Sequence, residues 1–286
     1  MNKMPSLLVV DLDGTLLCPQ GQVSSVNRGA LHAARDSGIE IMIATGRTHM
    51  ECHDILDSLE YQGPMVIASG AAMVDWPSGR TLERTPLVES DSHLVTTTLR
   101  SLGHAVMLLK DRHVADTDYT IIGSEQMHPT SEWWLDLHEV QCKRLDHLED
   151  DDSLQYTLRI ASLGTPAEMA RAAESIRETL GDRVFFRHWP AVGRDGECVH
   201  MLEIFMQGVN KWTMVSRYCE ASEIGFEQVA AIGDGLNDIE LIAGAGIGIA
   251  VENADQAVRR VANRMTRSHD QNGVAHAVER LMDGWS

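Results

Sequence analysis

At each end of this chain, short aliphatic runs alternate with amphipathic stretches, and that alternation leaves few architectures open. From the amino terminus, Ser6 to Val10, Ile39 to Ala44 and Met65 to Ala68 read as strands, separated by helical stretches at Ser24 to Ser37 and from about Thr48. The carboxy-terminal part repeats the pattern with Val199 to Phe205, a helix beginning near Asn210, Val229 to Ile232, a helix from about Asn237, Gly246 to Ala250 and a last helix ending near Met282. Such alternation predicts an α/β fold, a doubly wound parallel sheet with helices on both faces. Ligands of such sheets gather at the carboxyl ends of the strands.

Between these halves the texture changes. Residues from about 86 to 197 carry hairpin-like runs, Ala105 to Leu109 and His113 to Ala115, turning at Asp111-Arg112, together with clustered tryptophan and histidine. An inserted domain is the reading. Within it Leu154 to Leu163 is expected as a strand, and Thr165-Pro166-Ala167-Glu168 has capping-box spacing with proline at the first helical position. That helix should stop before Gly181, and Arg183 to His188 should return as a strand. Glu149 to Asp152 is expected as a solvated acidic turn, and Gly193-Arg194-Asp195-Gly196 as a hairpin turn.

With 286 residues, two domains of ordinary size are expected. The net charge of −18 makes a nucleic-acid backbone an unsuitable partner, and a small anionic substrate would need local cations. Five cysteines stand singly with no C-x-x-C, which argues against a disulfide framework or structural zinc and fits a reducing cytoplasm. No apolar stretch approaches the roughly 20 residues of a membrane span, so a cytoplasmic protein with no membrane partner is expected. The oligomeric state, monomer or dimer, is open.

Polar residues close four of the segments: Asp11-Leu12-Asp13-Gly14-Thr15, Ala44-Thr45-Gly46-Arg47, Asn210-Lys211 and Gly233-Asp234-Gly235-Leu236-Asn237-Asp238. Side chains at i and i+2 of a strand point the same way. Asp11 and Asp13 therefore repel unless a metal or shared proton offsets their charge, or the chain turns at Gly14 and separates them. Strand ends in a doubly wound sheet converge on one crevice, so these distant residues can meet.

In these four motifs, in this order and with an insert between the second and third, the chain resembles haloacid dehalogenase superfamily phosphatases of the Cof-like type, over essentially its whole length. The resemblance implies a Rossmann-like core of residues 1–85 and 198–286 with residues 86–197 as an α/β cap of the C2 type. It also implies Mg²⁺-dependent hydrolysis of a small phosphorylated metabolite, such as a sugar phosphate, with Asp11 as nucleophile and Asp13 as acid and base. Mg²⁺ would be held by the carboxylates of Asp11 and Asp234 and the backbone carbonyl of Asp13, with Asp238 ordering a metal-bound water or holding Lys211. For the phosphoryl oxygens, the implied donors are the Thr45 hydroxyl, the Gly46 amide, the Lys211 ammonium and the Asn237 amide. Gly14 and Gly235 would permit tight turns, and Thr15 would hold the nucleophile's rotamer. Two alternatives stay open: a phosphomutase, and a sensor that binds a phosphorylated metabolite without turnover.

Other candidates have plainer readings. His49 and His53 lie four apart but lack the H-E-x-x-H pattern, and a half-exposed helix face is expected. Trp133 and Trp134, near His128 and His138, are expected to pack the inserted domain's core rather than line a sugar site. Arg47 either reaches substrate or pairs with an acid. Where relatives carry Ser-Asn-Gly-Ala, this chain has Ser69-Gly70-Ala71-Ala72, so an asparagine is missing near the expected cap junction. The later Asn272-Gly273-Val274 departs from the pattern only at the residue before the glycine.

Overall fold

The two alternating ends of the chain do build one sheet. The computed structural model describes residues 4–192 and 197–285. The chain begins with β1 (Leu7–Val10), β2 (Glu40–Ala44), β3 (Gly63–Ile67), β4 (Ala72–Trp76) and β5 (Arg80–Arg84). It continues through β6 (Val106–Lys110), β7 (Tyr119–Ile122), β8 (Cys142–Leu145), β9 (Thr157–Gly164), β10 (Val184–Val192) and β11 (Cys198–Met206), and closes with β12 (Val229–Gly233), β13 (Ile247–Val251) and β14 (Arg264–Thr266). Two compact units result, Met1–Leu82 with Asn210–Ser286, and Glu83–Val209.

The first unit holds an eight-stranded sheet in the order β14-β13-β12-β1-β2-β3-β4-β5. Strands β14 to β3 pair in parallel, and only then does β4 turn back antiparallel on β3. All four residues of β1 are fully buried, as a parallel strand covered on both faces must be. β1 pairs with β2 on one side and β12 on the other, so the strand order reverses at β1 and a crevice opens at its carboxyl end. Strands from both halves of the chain thus border this crevice.

In the second unit the sheet runs β10-β11-β9-β6-β7-β8, antiparallel except for β7 with β8. The helices Glu89–Ser101 and Pro166–Leu180 cover one face, where Val95, Leu99, Leu108, Ile160, Ile176 and Leu202 share a core. Thr165 and Glu168 close the expected capping box, Pro166 sits in the first turn, and Gly181 ends the helix.

Several expectations change. Val199 to Phe205 does not open the second half of the parallel core: β11 pairs antiparallel with β9 and β10 and belongs to the second unit, which extends to Val209 instead of stopping at 197. The hairpin at Asp111-Arg112 is absent, because Asp111 caps a helical turn at Arg112–Ala115 by accepting from the His113 amide, and β6 pairs instead with β7. Leu154–Tyr156 is a helical turn, so β9 starts at Thr157. Asp151 is not solvated. It is buried against the Lys110 ammonium at 2.6 Å, and that ammonium also donates to the Thr157 hydroxyl at 2.8 Å. The Gly193 to Gly196 turn lies outside the described residues. Among the described residues no helix is long and apolar enough to cross a membrane.

Candidate active site

At the end of β1 the Asp11 amide still bonds to the Ile232 carbonyl of β12 at 3.0 Å, which fixes Asp11 at the carboxyl end of this central strand. The chain then swings through a wide turn, Leu12–Leu16, in which the Leu17 amide reaches back to the Leu12 carbonyl at 2.9 Å. Gly14 makes this turn possible: its φ is +73°, and a Cβ there would fall 2.3 Å from the Asp234 Oδ2. The turn at Gly14 separates the aspartate pair. Asp11 points into the buried crevice, whereas the Asp13 side chain is 58% exposed and turned to Arg47.

A fully buried lysine joins the other motifs. Lys211 Nζ lies 2.5 Å from Asp11 Oδ1 and 2.6 Å from Asp238 Oδ1. Asp238 uses its second oxygen to accept the Asp234 and Gly235 amides at 3.1 and 3.0 Å, which ties the β12 loop to the lysine. Asp238 makes the contact to Lys211, one of the two parts expected of it. Thr15 does not hold the nucleophile: its hydroxyl donates to Asp234 Oδ1 at 2.8 Å. Gly235 has ordinary backbone angles, with φ of −91°, so no left-handed turn requires it.

Asp11, Asp234 and Asp238 each offer a carboxylate oxygen, all within 4.8 Å of one another. Asp13's carboxylate is not in this group. Burial pushes the Asp11 carboxyl well above its ordinary range, Lys211 opposes this, and Asp238 and Asp234 add to it. Burial pushes Asp234 to about 6, against the pull of the Thr15 hydrogen bond. Burial also works against the Lys211 ammonium, but Asp11 and Asp238 outweigh it and raise its pKa. Three carboxylates around one ammonium leave negative charge uncompensated, and the donors are all hard oxygens. A divalent cation of the Mg²⁺ class fits that donor set.

The loop after β2 forms the adjoining wall. Thr45 is fully buried, its hydroxyl oxygen accepts the Arg47 amide at 3.1 Å, and its carbonyl accepts the Ser69 amide at 3.0 Å. Gly46 sits beside Ser69 and Asn237: a Cβ on it would lie 3.2 Å from the Ser69 Oγ and 3.5 Å from the Asn237 Nδ2. The Ser69-Gly70 departure finds a local use. Gly70 has φ of +103°, and a Cβ there would lie 2.1 Å from the Asn210 carbonyl oxygen. Its bareness lets the start of the helix Lys211–Ala221, capped by Asn210, close against this loop and deliver Lys211.

Asn253, after β13, belongs to none of the four motifs. Its amide nitrogen donates to the Gly14 carbonyl at 2.7 Å, and its oxygen accepts from His269 N and the Ser268 hydroxyl. Its position just past a strand's carboxyl end was the available signal. His49 and His53 pack against each other and Trp76 as an aromatic cluster. Trp134 contacts Tyr119 and His138 and is half-buried, as expected of packing.

A doubly wound sheet with an acidic, lysine-bridged crevice at its switch point defines an α/β protein built to handle a charged ligand and a cation. The chain belongs to the haloacid dehalogenase-like hydrolase family, whose pattern matches residues 8–278. It is similar to phosphatase YwpJ of Bacillus subtilis, 26% identical over 96% of this chain and 99% of that one. It is also similar to 5-amino-6-(5-phospho-D-ribitylamino)uracil phosphatase YcsE of the same organism, 26% identical over 95% and 94%. In fold it is similar to a haloacid dehalogenase-like hydrolase of Bacteroides thetaiotaomicron, with a TM-score of 0.79, 24% identity and coverage of 97% and 99%. The chain is therefore an enzyme of the hydrolase class whose full-length relatives are named as phosphatases.

Proposed function

We propose that the chain hydrolyses the phosphomonoester of a small metabolite through an aspartyl-phosphate on Asp11. The contact of Asp11 with a fully buried lysine inside an acidic cluster carries this reading. A phosphate monoester repels anionic nucleophiles, so a site must neutralise charge while holding a carboxylate in line with phosphorus. Lys211 supplies one fixed cation and holds the Asp11 carboxylate in one orientation. Mg²⁺, held by Asp11 and Asp234 with the Asp13 carbonyl, would supply the remaining positive charge. Asp238 keeps Lys211 in place, and Thr45, Gly46 and Asn237 serve the phosphoryl oxygens as donors.

In the first step an Asp11 oxygen bonds to phosphorus as the ester P–O bond breaks, and the departing alkoxide takes a proton from Asp13. Water then attacks the phosphorus, Asp13 accepts its proton, and the aspartyl–phosphorus bond breaks to release inorganic phosphate. A sugar or sugar-alcohol phosphate is the substrate class we favour, in keeping with the phosphorylated ribityl group for which the relative YcsE is named. The five cysteines carry no disulfide among the described residues, which supports a cytoplasmic setting.

Asp11→Asn tests the reading. It should lower Mg²⁺-dependent phosphate release from a panel of sugar phosphates by about four orders of magnitude or more, with the circular dichroism spectrum unchanged. Near-normal turnover by that variant would remove Asp11 as nucleophile, and an isomerised sugar phosphate in place of free phosphate would make the protein a mutase.

A further inference from the structure

Arg47 takes the second of the two parts expected of it and pairs with an acid, making the only side-chain hydrogen bonds to the Asp13 carboxylate among the described residues. Its Nε donates to Asp13 Oδ2 at 2.8 Å and its Nη2 to Oδ1 at 2.6 Å, the parallel two-bond geometry of a guanidinium fork. Arg47 is the fixed partner. Its Nη1 donates to the Glu51 carbonyl at 3.3 Å, its amide to the Thr45 hydroxyl oxygen at 3.1 Å, and its carbonyl accepts from Ala68 at 2.9 Å. Its side chain is 25% exposed against 58% for Asp13.

An ion pair this open contributes little to folding, typically ~0–1 kcal/mol, so stability does not account for the arrangement. Direction does. We infer that Arg47 is a positioning residue for proton transfer, its fork setting where the Asp13 carboxyl points. The inference rests on the reading of Asp13 as acid and base. To hand a proton to a departing alkoxide, Asp13 must free one oxygen while the other stays on the fork, and the remaining bond then sets the swing of the carboxyl. Lysine keeps the charge but lacks the planar pair of donors that defines this direction.

Dependence on the leaving group separates this role from a structural one. An aryl oxygen such as p-nitrophenolate departs without a proton, whereas a sugar alkoxide needs one, and general acid help amounts to about 10²–10⁴ in rate. The measurement is the ratio of kcat/KM with Mg²⁺ on a sugar phosphate to that on p-nitrophenyl phosphate: kcat/KM reads the step in which the leaving group departs, so the water attack common to both esters does not enter and any loss of folded protein cancels. Asp13→Asn should lower the ratio by about 100-fold or more and Arg47→Gln by about tenfold or more, with Arg47→Lys falling alongside Arg47→Gln. The double variant Asp13→Asn/Arg47→Gln should match Asp13→Asn alone. Equal losses on both substrates in Arg47→Gln, a further fall of the ratio in the double variant, or full recovery by Arg47→Lys would each overturn the role of Arg47. An unchanged ratio in Asp13→Asn, or no hydrolysis of either ester by the unaltered protein, would instead overturn the assignment of Asp13 and the inference with it.

Discussion

Asp234 gives the crevice a measurable response to pH. Its carboxyl is pushed by burial to about 6 from an ordinary 3.8, so the cation-free folded protein keeps a proton that the unfolded chain releases. Stability from this group is present in full below about pH 4 and is lost as pH rises through about 6, a change on the order of 3 kcal/mol. A cation at the carboxylates must displace that proton. Mg²⁺ should therefore raise the Tm more at about pH 7.5 than at about pH 5, and Asp234→Asn should shrink the difference, leaving the part that the raised Asp11 carboxyl contributes. Calorimetric scans at both pH values, with and without Mg²⁺, check this. Asp11, Lys211, Asp234 and Asp238 were legible as neighbours because each stands at a strand's carboxyl end or opens the helix beside one. Thr15 and Asn253 were not, because which carboxylate a hydroxyl reaches, and which carbonyl a lone asparagine clamps, depends on the dihedrals of Gly14 and not on spacing.

At the scale of elements, the Lys110–Asp151 pair has the largest local consequence. Both side chains are fully buried. Lys110→Met would leave Asp151 without its cation and should destabilise the protein by about 3–5 kcal/mol, while Lys110→Met/Asp151→Asn should recover part of the loss. Urea unfolding of the two variants measures it. The acidic run Glu149 to Asp152 looked solvated because its partner stands some forty positions earlier, on β6, and nothing local announces it. β11 is different, since its sequence did hold the signal. A carboxylate at Glu203 inside an apolar run contradicts a strand covered by helices on both faces, and fits an antiparallel strand with one polar face. There Glu203 accepts from Arg159 Nη1 at 2.5 Å and from the Trp189 indole at 2.9 Å. Direction of pairing remained hidden, because parallel and antiparallel partners draw on the same β-branched and aliphatic residues. The capped helix Pro166–Leu180 was readable to within a residue because its signals, Thr165, Pro166, Glu168 and Gly181, act within one turn of where they stand.

For the whole molecule the decisive feature is β1, held by β2 from its own half of the chain and by β12 from the far half. A chain ending at residue 209 lacks β12 to β14 and the lysine helix, and it exposes one full edge of a wholly apolar strand. Such a fragment should lose the first unit's cooperative unfolding and elute as aggregate in size-exclusion chromatography, whereas the full chain should not. On the ribosome the same connectivity sets a schedule. The stretch 83–209 is continuous and emerges with all its sheet partners, while the strand that bears Asp11 waits for more than two hundred further residues before its second neighbour is made. The acidic crevice is thus the last part of this polypeptide to be completed, and an interrupted synthesis yields the insert without it.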